Sequence, residues 1–111
     1  MTSAILSSRP HKYRAEPTIV DGIRFASKKE AKRYGELLLM MKARKITELE
    51  VQPWFPIKVN GEPICIYVAD FRYCDKYLGV IVEDVKGVRT PLYKLKKKLV
   101  EAQYGIKIVE V

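Results

Sequence analysis

The stretch that most constrains the fold is residues 80–87, which read Val-Ile-Val-Glu-Asp-Val-Lys-Gly. Its leading β-branched residues predict a buried strand, and the run then ends in two carboxylates, a lysine and a glycine. Buried charges are costly unless they are paired, so these groups need partners or a function. Strand alternation places Asp84 and Lys86 on one face of the strand and Glu83 on the other.

The chain that follows predicts a strand–helix–strand unit. Pro91 suits the first turn of a helix that runs to about Tyr104, and Gly105 suits its C-terminal stop. Residues 106–111 predict a strand parallel to residues 79–86, because a crossover of this kind joins parallel strands. The inward stripe of the helix is predicted to be Leu92, Leu95, Leu99 and Ala102.

The chain before this unit divides into an arm and the start of a domain. Residues 1–16 show no periodic pattern and predict a flexible basic arm. Residues 17–111 predict a single domain, since a chain of 111 residues with 48% hydrophobic content can bury one core. Asp21-Gly22 predicts the turn of a small hairpin at the start of that domain.

A helix is predicted from Ser27 to about residue 42, because Ser27 and Glu30 fit a capping box. Glu30 has two interpretations, which stay open: a capping carboxylate, or a carboxylate aimed at a site beside the sheet. Cations crowd the start of this helix, where the macrodipole disfavours positive charge, and they predict that an anion is recruited there. These cations are Lys28, Lys29, Lys32 and Arg33.

The middle of the chain predicts antiparallel strands. Residues 46–59 predict one strand broken by its two prolines, and Asn60-Gly61 predicts a hairpin turn. The next strand, residues 64–73, carries Asp70 at the end of an apolar face. After the N-terminal hairpin, the predicted order is therefore helix, three strands, helix and strand, in one α/β domain.

Asp70 and Asp84 are predicted to approach each other. If the strand of Asp70 pairs antiparallel with residues 79–86, Asp70 lies opposite Asp84 or Val82, about 4.5 to 8 Å away. Two carboxylates this close repel each other unless a cation offsets their charge. Carboxylate oxygens are the ligands that Mg²⁺ or Mn²⁺ prefers. Lys86 on the same face can orient a water or stabilise charge that develops on a phosphate.

The charge balance predicts an anionic partner. The chain has 21 Lys and Arg against 13 Asp and Glu, a net charge of +8, which favours nucleic acid, with Lys94 and Lys97 of the second helix among the contacts. Cys65 and Cys74 form neither a metal-ligand spacing nor a disulfide framework. The sequence has no apolar run of about 18 residues and no signal-peptide core, which predicts a cytoplasmic protein without a membrane partner.

The ordered motifs resemble a known group of nucleases. Asp70, followed by Asp84-Val85-Lys86, resembles the PD-(D/E)XK motif of restriction-endonuclease-like nucleases, with Ala69 standing where the motif name has proline. Glu30 resembles the additional acidic residue of that superfamily. The fuller string is similar to a family of small phage-encoded endonuclease-like proteins. It comprises residues 17–25, Ser27-Lys-Lys-Glu-Ala, Gln52-Pro53, Tyr67-Val-Ala-Asp-Phe, Glu83-Asp-Val-Lys-Gly and Lys94-Leu-Lys-Lys-Lys.

The resemblance implies a fold and an activity. The implied fold is an αβββαβ core, a mixed sheet flanked by two helices. The implied activity is metal-dependent hydrolysis of phosphodiester bonds in DNA, and relatives in the superfamily include junction-resolving nucleases. By this resemblance, Glu30, Asp70 and Asp84 bind Mg²⁺ or Mn²⁺, Lys86 completes the catalytic set, and Gln52 and Glu83 are candidates for site-adjacent residues.

Further expectations concern the assembly and the alternatives. A chain of this size has one site, so cutting both strands of a duplex calls for a homodimer. A phage-encoded member acts in the cytoplasm of the host cell. Two alternatives stay open: a non-catalytic basic nucleic-acid-binding or assembly module that keeps a relic nuclease site, and RNA as the substrate.

Overall fold

The computed structural model describes residues 16–111, so the predicted basic arm lies outside the described residues except for Glu16. These residues form a mixed α/β structure with a mixed sheet and two helices. The chain divides into two compact units, Met1–Glu36 and Leu37–Val111. The single domain expected for residues 17–111 stays a prediction.

The first unit begins with a small antiparallel hairpin, as predicted. Strands β1 (Thr18–Val20) and β2 (Ile23–Phe25) pair in the register Thr18 to Phe25. Asp21 and Gly22 between them have φ values of 53° and 76°. Positive φ at both central residues is what a two-residue turn of this twist requires, which explains the Asp-Gly pair.

Helix α1 (Lys28–Lys42) starts with the predicted capping box. The Ser27 carbonyl accepts the first helical bond, from the Ala31 N–H at 3.2 Å. Ser27 Oγ accepts the Glu30 N–H at 3.2 Å, and Glu30 Oε1 accepts the Ala26 N–H at 3.3 Å. The carboxylate therefore reaches one residue further back than in the standard motif, where it would bond the N-cap residue itself.

Tyr34 connects the hairpin to α1 within the first unit. It is buried, and its ring centroid lies 5.1 Å from that of Phe25. Its hydroxyl donates to Asp21 Oδ2 at 3.1 Å. Burial, followed by this hydrogen bond, raises the pKa of Tyr34, so the phenol stays a neutral donor.

The second unit contains most of the strands and the second helix. Its elements are β3 (Ile46–Val51), β4 (Trp54–Val59), β5 (Glu62–Val68), β6 (Phe71–Asp75), β7 (Gly79–Asp84), α2 (Pro91–Tyr104) and β8 (Ile108–Glu110).

The mixed sheet has the strand order β3-β6-β7-β8. The β3–β6 and β6–β7 pairs are antiparallel, and β7 pairs with β8 in parallel, which confirms the predicted strand–helix–strand unit. Strand β7 is thus a central strand with a neighbour on each side. Neither helix within residues 16–111 is long and apolar enough to cross a membrane.

The two long strands predicted for residues 46–59 and 64–73 are each divided in two. The expected break in the first strand lies at Gln52, whose φ is 57°. The division of the second strand at Ala69 and Asp70 was not predicted. Pairing nevertheless continues through the break, since the Gln52 N–H bonds the Asp70 carbonyl at 2.9 Å and the Ala69 N–H bonds the Pro53 carbonyl at 3.1 Å.

Strands β4 and β5 form a separate two-stranded antiparallel hairpin. Asn60 and Gly61 form its turn with φ values of 50° and 80°, which confirms the predicted Asn-Gly hairpin. The face of β5 that carries Ile64, Ile66 and Val68 is exposed, whereas Tyr67 and Ala69 are buried. The apolar face that leads to Asp70 therefore points to solvent, because the buried face of the hairpin packs against α2.

Helix α2 begins and ends as predicted, but a different face is buried. Thr90 is its N-cap, and Gly105 ends it with φ 65°. The predicted inward residues Leu92 and Leu95 are 61% and 55% exposed, and Ala102 is exposed too, while Leu99 is half-buried. Val100 is fully buried, and Tyr93 and Leu99 pack partly buried against the same core, so the inward face of the helix is rotated from the predicted stripe toward Val100.

The core of the second unit lies between α2, the β4–β5 hairpin and the sheet. The Tyr104 ring packs edge-on against Phe55 with centroids 5.2 Å apart, and its hydroxyl donates to the Pro56 carbonyl at 2.7 Å. These contacts hold the C-terminal end of α2 against β4 of the hairpin. The buried residues of this core are Phe55, Ile57, Tyr67, Ala69, Val82, Val100 and Ile108.

Candidate active site

Asp84 is the last residue of β7 and is only 4% exposed. The Tyr67 hydroxyl donates to Asp84 Oδ2, and Lys86 Nζ lies 3.2 Å from Asp84 Oδ1. The Asp84 carbonyl accepts the Val111 N–H at 3.0 Å, so the backbone is held by the C-terminal residue as well. A buried carboxylate is tolerated here because both its oxygens have charged or hydroxyl partners.

Asp70 lies beside this pair at the break between β5 and β6. The Asp70 N–H donates to the Glu83 carbonyl at 3.1 Å, and Asp70 Oδ2 accepts the Val85 N–H at 2.6 Å. Because Phe71 pairs with Glu83, the same register continued by one residue sets Asp70 opposite Asp84 rather than Val82. The structure therefore brings Asp70, Asp84 and Lys86 together at one end of the sheet.

Glu83 and Gln52 occupy different positions around this group. Glu83 points to the opposite face of β7, as alternation predicts, where it is 1% exposed and accepts a hydrogen bond from the Tyr73 hydroxyl. Gln52 is exposed and adjoins the group through its backbone, since its N–H bonds the Asp70 carbonyl. Glu83 is thus separated from the group by the strand, and Gln52 is next to it.

Glu30 belongs to the first unit, where its carboxylate takes part in the cap of α1. The capping interpretation is therefore observed. The expectation that Glu30 also holds a metal stays a prediction.

The residues predicted to contact DNA lie on the two helices. Lys28 Nζ lies 2.9 Å from Glu16 Oε1, and this hydrogen bond and the lysine charge lower the pKa of the Glu16 carboxyl. Arg33 Nη1 lies 2.9 Å from Glu36 Oε1. Lys97 lies 3.5 Å from Glu101. The remaining three, Lys29, Lys32 and Lys94, are exposed.

Tyrosine hydroxyls support the site, and sequence reasoning assigned them no role. Tyr67 donates to Asp84 and Tyr73 donates to Glu83, so each buried carboxylate has a phenol partner. A third tyrosine, Tyr93, has Lys86 Nζ 3.6 Å from its ring centre. The signal that could have found them is their position, because a tyrosine on a buried strand face needs a partner for its hydroxyl.

Tyr93 contacts both Lys86 of the site and Glu110 on the edge strand β8. Its hydroxyl donates to Glu110 Oε2 at 2.7 Å, and Arg89 Nε lies 2.8 Å from Glu110 Oε1. Burial raises the pKa of Tyr93 strongly, and the Glu110 hydrogen bond adds to this. The Tyr93 and Arg89 hydrogen bonds in turn lower the pKa of the Glu110 carboxyl.

The donor chemistry of the group fits a divalent cation with few protein ligands. Within residues 16–111, no three or more His, Cys, Asp or Glu side chains are grouped to hold a metal ion. Mg²⁺ typically takes one or two carboxylates and completes its shell with water and substrate phosphate. Asp70 and Asp84 match that number, so their oxygens would be the ones to hold the ion.

Comparison with known proteins identifies the family of this chain. The family model described as "Protein of unknown function (DUF1064)" matches residues 10–109, which is nearly the whole chain. Neither a curated protein nor a solved structure matches the chain.

Proposed function

We propose that this chain, which belongs to the DUF1064 family of proteins of unknown function, is a divalent-metal-dependent DNA endonuclease with a restriction-endonuclease-like core. The observation that carries the proposal is the contact of 3.2 Å between Lys86 Nζ and Asp84 Oδ1 at the end of a central strand. Asp70 is held next to it through the Val85 N–H. Two carboxylates and a lysine in this order are the elements of the PD-(D/E)XK motif that the sequence resembles.

Each residue of the proposed site has a role that follows from its contacts. Asp70 and Asp84 supply hard oxygen donors, and their anchoring to Val85 N–H and to the Tyr67 hydroxyl orients them. Asp70 and Asp84 would hold Mg²⁺ or Mn²⁺, which would supply an acidified water and neutralise charge on the phosphate. Lys86 donates from Nζ, so it can orient a water oxygen for attack and stabilise charge on a phosphate oxygen.

The charge of the whole chain supports an anionic substrate. A net charge of +8 raises the local concentration of a polyanion around the protein. Lys94 is exposed on α2, the helix that follows β7 and its site, so it is available to phosphates. In the proposal, these cations hold the backbone of DNA and carry no base specificity.

A nicking assay tests the proposal. Purified protein is offered a panel of linear and branched DNAs and the matching RNAs, with Mg²⁺ or Mn²⁺ and with chelator. Asp84→Asn and Lys86→Ala are expected to lower the cleavage rate by at least about a hundredfold. Asp75→Asn is the matched control, because it is the same substitution at the other end of the β6–β7 pair. There the Asp75 carboxylate accepts the Tyr77 and Leu78 N–H groups of the turn. Cleavage that survives both site variants contradicts the assignment.

The rival function is a non-catalytic DNA-binding or assembly module with a relic site. The observation that favours it is that the Tyr67 hydroxyl already donates a hydrogen bond to Oδ2 of Asp84, one of the oxygens that a metal would need. Under this alternative, the wild-type protein binds DNA but never cuts any form of it. If the protein cleaves RNA but not DNA, the proposed substrate changes to RNA and the assignment as a nuclease stays.

The proposal includes a homodimer when both strands of a duplex are cut, since each chain has one proposed site. Sedimentation of the protein with duplex DNA is expected to show two copies per cleavage site. A strict monomer that still makes double-strand breaks contradicts this part of the proposal.

A further inference from the structure

Lys86 has a second defined neighbour besides Asp84. Its Nζ atom lies 3.6 Å from the centre of the Tyr93 ring and 3.2 Å from Asp84 Oδ1. A cation over an aromatic face is attracted by the ring quadrupole, and the attraction grows as water is removed. The Lys86 side chain is only 16% exposed, so its ammonium touches an anion and a ring with little water around it.

Tyr93 is anchored at its backbone and at its hydroxyl. Its backbone N–H donates to Oγ1 of Thr90, the N-cap of α2, at 3.1 Å. Its hydroxyl donates at 2.7 Å to Glu110 on β8, and Arg89 holds the other oxygen of that carboxylate. The helix therefore holds the backbone of Tyr93, and Glu110 of the sheet holds the hydroxyl of its ring.

Lysine depends on such support more than arginine does. Its ammonium is a compact charge on a flexible four-carbon stem, and it has no rigid fork to fix its direction. The ion pair with Asp84 sets the distance of Lys86 Nζ from the carboxylate, and the face of the Tyr93 ring restricts the other directions in which Nζ can move. A group that must orient a water gains from having its geometry fixed before substrate arrives.

We propose that Tyr93 is a positioning residue, whose ring face holds the Lys86 ammonium beside Asp84. The catalytic consequence rests on the proposed nuclease function, whereas the contact between ring and ammonium does not. Tyr93 acts through Lys86 and has no assigned contact with substrate. The ring face carries this role, and the hydroxyl serves to aim the ring.

Proton NMR of the purified protein tests the contact without any substrate. The ε-methylene protons of Lys86, assigned by through-bond correlation to the Lys86 backbone in isotope-labelled wild type, are expected to be shifted upfield by the ring current of Tyr93. The shift should persist in Tyr93→Phe and disappear in Tyr93→Leu. Random-coil ε-proton shifts in the wild type, or an unchanged upfield shift in Tyr93→Leu, overturn the inference, and the first of these needs no variant to fold.

Cleavage kinetics test the positioning role. Tyr93→Leu is expected to lower kcat about tenfold with little change in KM, and Tyr93→Phe should restore most of the loss. In a Lys86→Ala background, Tyr93→Leu should have no further effect, because the two residues act as one unit. Equal losses in both backgrounds would mean a general structural role and overturn the inference. If the wild type cuts no DNA, the proposed function fails, and the proton shift alone decides the contact.

Discussion

At the scale of single residues, the end of β7 is defined by how its charges are satisfied. Asp84 and Glu83 are consecutive buried carboxylates on opposite faces, and each accepts a hydrogen bond from a tyrosine. A buried charge without a partner costs several kcal/mol, so these tyrosines are part of the reason why the strand can end in acids. Their removal should be measurable as a loss of stability.

Tyr67→Phe removes the hydroxyl that donates to Asp84 and keeps the packing of the ring. We expect the free energy of unfolding in urea to fall by about 1 to 3 kcal/mol, the cost of leaving a charged group short of one hydrogen bond. Tyr77→Phe is the control, because Tyr77 is 86% exposed in the β6–β7 turn and should change stability by less than about 0.5 kcal/mol. Equal effects of the two variants would contradict the assigned role of Tyr67.

Glu110 makes a pH-dependent contribution to stability. Hydrogen bonds from Tyr93 and Arg89 lower the pKa of Glu110 in the folded protein. A lowered pKa means stability that is fully present above the unfolded value of about 4.3 and is lost as pH falls through the folded value. We expect Tm of Glu110→Gln to lie below that of the wild type near neutral pH, with the gap closing at acidic pH. A gap that widens on acidification would refute this sign.

At the scale of elements, the turns and helix ends follow local rules closely. Asp21-Gly22 and Asn60-Gly61 both close hairpins with positive φ, and Gly105 ends α2 in the left-handed region. These positions were predictable, because the conformational preference of glycine acts within a few residues. The buried face of α2 was not predictable, because it depends on which side chains the hairpin and sheet present to it.

Two glycine substitutions separate these local effects. Gly105→Ala places a side chain at φ 65° and is expected to destabilise the protein by about 1 kcal/mol. Gly35→Ala lies inside α1, where an added Cβ meets no atom within 4 Å, and is expected to stabilise it by about 0.5 to 1 kcal/mol. Urea unfolding of both variants checks the opposite signs. Stabilisation by Gly105→Ala would contradict the left-handed cap.

At the scale of the whole molecule, the proposed function makes the binding of DNA depend on the net charge of +8. Binding of a duplex is expected to weaken steeply between about 50 and 200 mM salt, because neutralised phosphates release counterions. Lys94→Ala should reduce the slope of log K against log salt by about 1, as one phosphate contact is lost. Lys76→Ala, in the turn at the far end of β7, is the control and should leave the slope unchanged. Fluorescence anisotropy measures both.

The candidate site was predictable in part, from strand parity. Alternation alone set Asp84 and Lys86 on one face and Glu83 on the other, and the structure has them so. The sequence does not choose between Asp84 and Val82 as the residue opposite Asp70, because the turn between the strands does not specify the register. The observed register of β6 and β7 decides for Asp84.

What the sequence by itself determined is the local part of this protein: the hairpin turns, the N-cap of α1, the C-terminal stop of α2, the parallel return to β8 and the faces of β7. Those features depend on a few neighbouring residues and on strand periodicity. Only the tertiary structure decided that the second of the middle strands divides at Ala69 and Asp70, that Val100 rather than Leu92 or Leu95 lies on the buried face of α2, and that tyrosines satisfy the buried acids. These depend on contacts between segments far apart in the chain, and local patterns do not carry that information.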